Sequence, residues 1–123
     1  MTLFVYLVIA LLVVTKFCDV ASTAQRISHS SAETNPIARR MMLSVGTTWA
    51  IWIVFVVALT IIGIAGAAAL TGGNLMKSLF IVVGVSISII QGAVAHCNWS
   101  GHDNAVTKRV RLLHTGLQRF IRR

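Results

Sequence analysis

The sequence has little of what enzyme sites and disulfide scaffolds are made from. Only three Asp and Glu accompany eleven Lys and Arg, and cysteine occurs twice. Two cysteines are too few for a disulfide scaffold, so we interpret each as a small apolar side chain. The chain also lacks a phosphate-cradling glycine loop, a zinc-ligand spacing and a paired nucleophile and base. We therefore expect a protein that is not an enzyme and needs no cofactor.

Apolar residues, in contrast, are abundant. They make up 56% of the 123 residues, and the mean hydropathy is +0.81. A helix that crosses a bilayer needs about 20 apolar residues, and three stretches reach that length, at about 3–24, 43–70 and 75–98. No stretch is left for a globular domain. The sequence predicts an all-α membrane protein, with three transmembrane helices in a single membrane domain over 1–123.

The first apolar stretch has some features of an export signal. Ser22-Thr23-Ala24 resembles a small-residue cleavage site. However, no basic residue precedes the apolar run, and Lys16 and Asp19 interrupt the approach to the site. We predict a retained transmembrane helix.

A polar loop at 25–35 leads to a second helix that we expect to be continuous from Pro36 to about Leu70. Such a helix is longer than the hydrocarbon layer, so its first two or three turns should project or lie at the interface. Trp49 and Trp52 would then mark the membrane entry level or, alternatively, face a neighbouring helix.

Small residues recur along the second and third spans and predict close helix packing. On the third span, one stripe carries a small residue every four positions, and a neighbouring stripe holds Gln91, which should bond across a helix contact. A short turn at 70–74 requires the two spans to form an antiparallel hairpin. The expected packing residues are Gly63, Gly66, Gly84, Ser88, Gln91 and Gly92.

After a break at Ser100-Gly101, the residues 104–123 have the pattern of a basic amphipathic helix on a membrane surface, capped by Asp103 or Asn104. Anionic lipid is the expected partner of this tail, rather than nucleic acid. The alternative is a solvated tail. The residues expected to meet lipid headgroups are Lys108, Arg109, Arg111, Arg119, Arg122 and Arg123.

The distribution of cations predicts the orientation. With three spans, the loop at 25–35 and the tail share one side of the membrane, together with every Lys and Arg except Lys77. The positive-inside rule then places the N-terminus outside and the C-terminus in the cytoplasm, in the inner membrane of a bacterium.

Polar residues gather at the cytoplasmic helix ends in this topology. Lys16, Asp19 and Thr23 lie three and four residues apart, on one helix face, and a charge at a membrane boundary needs a partner. Candidate partners of Asp19 are Lys16, an arginine, and the second helix start, where Asn35 can cap. Lys16 and Asp19 could instead snorkel to the headgroups. The predicted polar cluster is Lys16, Asp19, Thr23, Glu33, Asn35, His96 and Asn98.

The same ends bring Cys18, Asp19, His96 and Cys97 to one depth. Adjacent residues on a helix point about 100° apart, so the two members of each pair cannot easily face one ion. We predict no metal site.

Asp19 and Thr23, followed by Glu33-Thr34-Asn35-Pro36, form a recognisable pattern. It resembles a family of small multi-span prokaryotic membrane proteins of unknown function, whose first helix carries an Asp and a Thr and whose second opens with Glu-x-Asn-Pro. The resemblance implies a helical membrane protein with a polar cluster at that corner, and it implies no activity.

These features favour a structural or accessory membrane subunit that packs against itself or within a larger complex. The alternative is a holin-like or channel-forming protein, in which Thr60, Ser86, Ser88 and Gln91 would line a wet interface after assembly.

Overall fold

The chain is all-α, as predicted. The computed structural model describes residues 1–26, 36–102, 104–109 and 112, and these contain helices and no strand. The helices are α1 (Thr2–Arg26), α2 (Pro36–Val45), α3 (Thr47–Thr71) and α4 (Asn74–Ser100).

Three of these helices are long and apolar enough to cross a membrane. The most apolar windows of α1, α3 and α4 have mean hydropathies of 2.3, 2.7 and 2.1, and only 17% of each window is buried within the protein. Many of the other apolar side chains are exposed, where water would be an unfavourable neighbour and hydrocarbon is not. The chain is an integral membrane protein.

The expectation of one continuous helix from Pro36 to about Leu70 is wrong. Gly46 separates α2 from α3 and has φ +88°, a backbone conformation that residues with a Cβ rarely adopt. The amphipathic opening turns are therefore a helix of their own. Met42 is buried in the described structure, while Arg39 and Arg40 are exposed.

The predicted antiparallel hairpin is confirmed. α3 ends at Thr71 and α4 begins at Asn74, so only two glycines connect them. Gly72 N donates to Ala68 O at 2.9 Å, and Lys77 N donates to Gly73 O at 3.2 Å, which close the two helix ends. Because α3 returns across the bundle, α1 and α4 run parallel.

Helix α1 is the centre of the bundle, and its main neighbour is α4 rather than α3. Its buried residues Val5, Val8 and Leu12 lie three and four positions apart, and Ser22 continues this stripe ten positions further along. Gly84 of α4 faces this stripe so closely that a Cβ there would collide with Val8. A glycine is what permits this approach.

The other predicted packing glycines divide into two groups. Gly66 is buried in α3, and a Cβ there would lie 2.7 Å from Ile9 Cδ1 of α1 and 3.9 Å from Phe80 Cζ of α4. Gly63 and Gly92, in contrast, have no described atom within 4 Å of their Cβ positions. Within this chain, those two do not support helix packing.

Past α4, the described part of the tail turns back along the bundle. Residues 105–109 are helical, and Asn104 caps them: its Oδ1 accepts from Thr107 N at 2.9 Å. Asn104 Nδ2 also donates to Ala93 O at 2.6 Å, which ties the start of the tail to α4. This confirms the predicted cap at Asn104, whereas Asp103 lies outside the described residues.

Candidate functional site

The candidate site is the polar part of the α1–α4 contact. Hydrogen bonds across it join residues about 75 positions apart, from Thr2 with Lys77 near one end to Ser22 with Asn98 near the other. A constant offset means that the helices are parallel and in register along their whole length. We call this contact the α1–α4 seam. The residues along its centre are Val5, Val8, Leu12, Thr15 and Ser22 of α1 and Gly84, Ser88, Gln91, Ala95 and Asn98 of α4.

The seam is spaced like a coiled coil. On α4 its residues are separated by four, three, four and three positions, and on α1 by three or four positions, except for the gap between Thr15 and Ser22. Asp19 fills that gap. This repeat of seven, rather than a stripe at every fourth position, keeps two supercoiled helices in contact over many turns.

Asn98 is the hub at the Arg26 end of the seam. Its Nδ2 donates to Ser22 Oγ and to Thr23 Oγ1, both at 3.3 Å, and its Oδ1 accepts from Arg26 Nη1 at 2.8 Å. One amide on α4 thus binds three residues spread over more than one turn of α1. We call these four residues, Ser22, Thr23, Arg26 and Asn98, the Asn98 cluster.

Ser22 is fully buried, with 0% of its surface exposed, and it connects the Asn98 cluster to the preceding turn. Its Oγ donates to Asp19 O at 2.9 Å while it accepts from Asn98. The hydroxyl therefore uses its proton and one lone pair. Because both are hydrogen-bonded, burying this polar group costs little free energy.

Asp19 pairs with Lys16, which was the first of its predicted partners. Lys16 Nζ lies 2.8 Å from Asp19 Oδ2, and their side chains are only 14% and 18% exposed. The pair lies within α1, so it neutralises charge at the membrane boundary without joining two helices. Both charges are thus held against protein, which favours the polar cluster over simple snorkelling.

Gln91 provides a polar contact deeper in the seam. Thr15 Oγ1 lies 2.9 Å from Gln91 Oε1 and 2.9 Å from Leu11 O of its own helix. A hydroxyl has one proton, so it can donate to only one of these oxygens. The other end of the Gln91 amide is directed away from Thr15 in either case.

Ser88 is the exception in the seam. It is 4% exposed, and its Oγ has no hydrogen-bond partner among the described residues. Serine in a helix commonly donates back to the preceding turn, as Ser86 does to Val82 O at 2.8 Å. An unpaired buried hydroxyl costs free energy and contributes only volume.

Three further residues were predicted for this cluster. His96 follows Ala95 directly, so it points about 100° away from the stripe that faces α1, and it is exposed. Its prediction as a cluster member is wrong. Glu33 and Asn35 lie outside the described residues.

Four of the predicted lipid-facing residues of the tail, Arg111, Arg119, Arg122 and Arg123, also lie outside the described residues. Lys108 and Arg109 are exposed, at the end of the described part of the tail helix.

Two alternative roles were predicted for Trp49 and Trp52: to mark the membrane entry level or to face a neighbouring helix. Trp99 Nε1 donates to Gln25 Oε1 at 3.0 Å, directly beside the Asn98 hub. Trp52 and Phe17 each contact Phe55 edge to face, at 5.9 and 6.2 Å between ring centroids. Trp49 and Trp52 are more than half exposed, so Trp52 both packs and faces outward, as an entry-level residue would.

Thr15, Ser22, Gln25 and Trp99 were not predicted as site residues. The signal that identifies Thr15 and Ser22 is the seven-residue repeat on α1, in which both continue the position of Val8. For Gln25 and Trp99, which are exposed, the sequence holds no comparable signal.

Chemically, this arrangement holds helices together. Among the residues that the structure describes, no three His, Cys, Asp or Glu side chains come together in a way that could hold a metal ion. Cys18 and Cys97 belong to no disulfide. Apart from Ser88, the described polar residues at the centre of the seam are hydrogen-bonded.

Comparison of the chain with protein-family models, with curated proteins and with solved structures finds no match.

Proposed function

We propose that the protein is a structural or accessory subunit of a membrane assembly, with no chemistry of its own. The observation that carries this proposal is the α1–α4 seam, which joins two spans in register through hydrogen bonds between their polar side chains. A rigid pair of this kind presents fixed outer faces to other membrane helices.

The outward faces support the same proposal. Leu79, Val82 and Val83 of α4 are each more than half exposed, and so are Val56 and Ile61 of α3. Glycines 63 and 92 lie on open surface, where another helix could approach closely. The protein therefore has surface suited to further helix packing, either with itself or with another subunit.

The location belongs to the proposal as well. The Arg26 end carries Lys16, Arg26, Arg39 and Arg40, and the other end carries Lys77. The positive-inside rule puts the Arg26 end in the cytoplasm of a bacterium, with the N-terminus outside. Lys108, Arg109 and the arginines after them would then meet anionic headgroups of the inner leaflet.

The experiment is purification of the whole chain in mild detergent, followed by chemical cross-linking and native mass measurement. We expect a species heavier than one 13.3 kDa chain, composed of copies of itself or of this chain with other subunits. A strictly monomeric protein that brings no partner would contradict the proposal.

A holin-like or channel-forming role is the alternative, and the geometry supports it less. Thr60 and Ser86, which would line the wet interface, donate to Val56 O and Val82 O of their own helices, and Ser88 is buried. Induced expression separates the two roles: a pore would collapse the membrane potential, whereas a subunit would leave it intact.

A further inference from the structure

An apolar groove runs between α3 and α4, and Leu12 of α1 also lines it. It encloses about 530 Å³, and its lining includes Ala58, Ala65, Phe80, Val83, Ile87 and Gln91. The groove exists because the two helices of the hairpin contact each other less than each contacts α1. Val83 and Ile87 beside it are 53% and 41% exposed.

One polar group faces this apolar groove. Gln91 lines it, four residues from the middle of α4, which is about 6 Å along the helix axis. Among the described residues, its only hydrogen-bond partner is Thr15, which engages one end of the amide. The amide nitrogen has no partner among the described residues, and Gln91 lies well within the apolar helix α4.

We propose that the groove is where a second copy of this chain docks, and that the two Gln91 side chains bond to each other across the contact. This inference rests on the proposed structural role and names the partner and the surface. The ridge formed by Val83, Ile87 and Gln91, four residues apart, would enter the groove of the other copy, and each copy would do the same for the other.

The symmetry of a membrane protein favours a second copy over another occupant. All copies share one orientation, so a two-fold axis must run along the membrane normal, and equal residues meet at equal depth. A carboxamide carries both a donor and an acceptor, and two of them can pair reciprocally. Gln91 of one copy is thus complementary to Gln91 of the other.

A lipid chain would fill the groove less favourably. Hydrocarbon offers no hydrogen bond, and an unpaired amide in that medium costs free energy. A lipid-filled groove is nevertheless a definite outcome of the test below, because it leaves the protein monomeric.

The test uses disulfide trapping in native membranes. Cys18→Ala and Cys97→Ala remove the natural thiols, and Gln91→Cys is then introduced into the whole chain. We expect copper phenanthroline to convert most of this variant into a covalent dimer. Ile89→Cys is the matched control, because Ile89 is on the same helix, is 58% exposed and does not line the groove. It should give little dimer.

A second measurement needs no cysteine. Gln91→Leu keeps the apolar shape and removes the amide, so we expect the dissociation constant of the dimer in detergent to rise about tenfold. Ser86→Leu makes the same kind of change on α4 outside the groove and should shift that constant by less than about twofold.

The outcomes distinguish this inference from the proposed function. Trapping through Ile89→Cys, or a dimer that is indifferent to Gln91→Leu, would overturn the groove contact while leaving a self-associating subunit in place. A larger complex that contains one copy of this chain would do likewise. A partnerless monomer would overturn both.

Discussion

At the scale of single residues, two neighbours on α4 affect the seam in opposite ways. Gly84 allows α1 and α4 to approach because it has no side chain, whereas Ser88 brings a hydroxyl for which the described structure offers no bond. Sequence patterns identify both as small and therefore as packing residues. These patterns do not show that Gly84 permits close packing because it lacks a side chain, nor that the unpaired hydroxyl of Ser88 costs free energy.

Gly84→Ala should destabilise the protein. The added Cβ would collide with Val8, which is 6% exposed and has little room to move. Overpacking of this kind costs about 1–3 kcal/mol, measurable as reversible unfolding in mixed detergent micelles. Gly92→Ala is the control, since its Cβ would meet no described atom within 4 Å. Equal effects of the two substitutions would contradict the close approach at Gly84.

Ser88→Ala should raise the free energy of unfolding by about 1 kcal/mol, because it removes a buried hydroxyl that has no partner in the described structure. The same unfolding measurement applies. Ser86→Ala serves as comparison, since that hydroxyl is exposed and bonded to Val82 O. A clear loss of stability in Ser88→Ala would mean that the hydroxyl is bonded in the membrane.

At the scale of helices, the arrangement depends on where polar side chains connect α1 with α4 and where a glycine interrupts the second apolar segment. Lys16, Asp19, Thr23 and Asn98 could be predicted as polar residues at helix ends. That Lys16 pairs with Asp19 within α1, while Thr23 bonds to Asn98 of α4, depends on the register of the seam.

Asn98→Ala should loosen the Arg26 end of the seam. The substitution removes three hydrogen bonds and leaves Ser22 buried with fewer partners, a loss of about 1–2 kcal/mol. Hydrogen exchange should show less protection in residues 20–26 of α1 than in residues 5–12. Asn74→Ala, an exposed change at the first residue of α4, is the control. Uniform protection along α1 in Asn98→Ala would count against the hub.

Gly46→Ala should convert the break between α2 and α3 into continuous helix. Alanine at φ +88° carries strain of about 1–3 kcal/mol, which a helical conformation at that residue would relieve. Spin labels at Arg39 and Ile53 should then move toward the separation of about 21 Å expected of 14 helical residues. Gly73→Ala should leave the distance unchanged, since Gly73 has φ −70° and open space around its Cβ position.

At the scale of the whole molecule, the bundle separates its charges between two ends. Lys16, Arg26, Arg39 and Arg40 lie at or near one end, and Lys77 bonds to Thr2 at the other, at 3.4 Å. Parallel packing of α1 with α4 preserves this asymmetry, because it places the Arg26 end of α1 beside the end of α4 that precedes Lys108 and Arg109.

The orientation gives a direct prediction. Alkaline phosphatase fused after Arg123 should be inactive, because the positive-inside rule retains that end in the cytoplasm. Fusion after Gly73, in the turn between α3 and α4, should be active. Strong activity at Arg123 would reverse the proposed orientation.

The sequence by itself determined the class of the protein and most of its element positions. Three apolar stretches of spanning length leave no other stable arrangement in water or lipid, and two glycines between long helices permit only a hairpin. The break at Gly46 was not determined in this way, because an isolated glycine in an apolar run can also remain helical.

Only the tertiary structure decided which face of each helix is the contact. On α4, the stripes through His96 and through Asn98 share Gly84 and Ser88 and both carry small and polar residues. The stripe through Gln91, Ala95 and Asn98 follows the seven-residue repeat and faces α1, while His96 is exposed. The physical reason is that packing depends on two helices at once, and the spacing within one helix does not specify its partner.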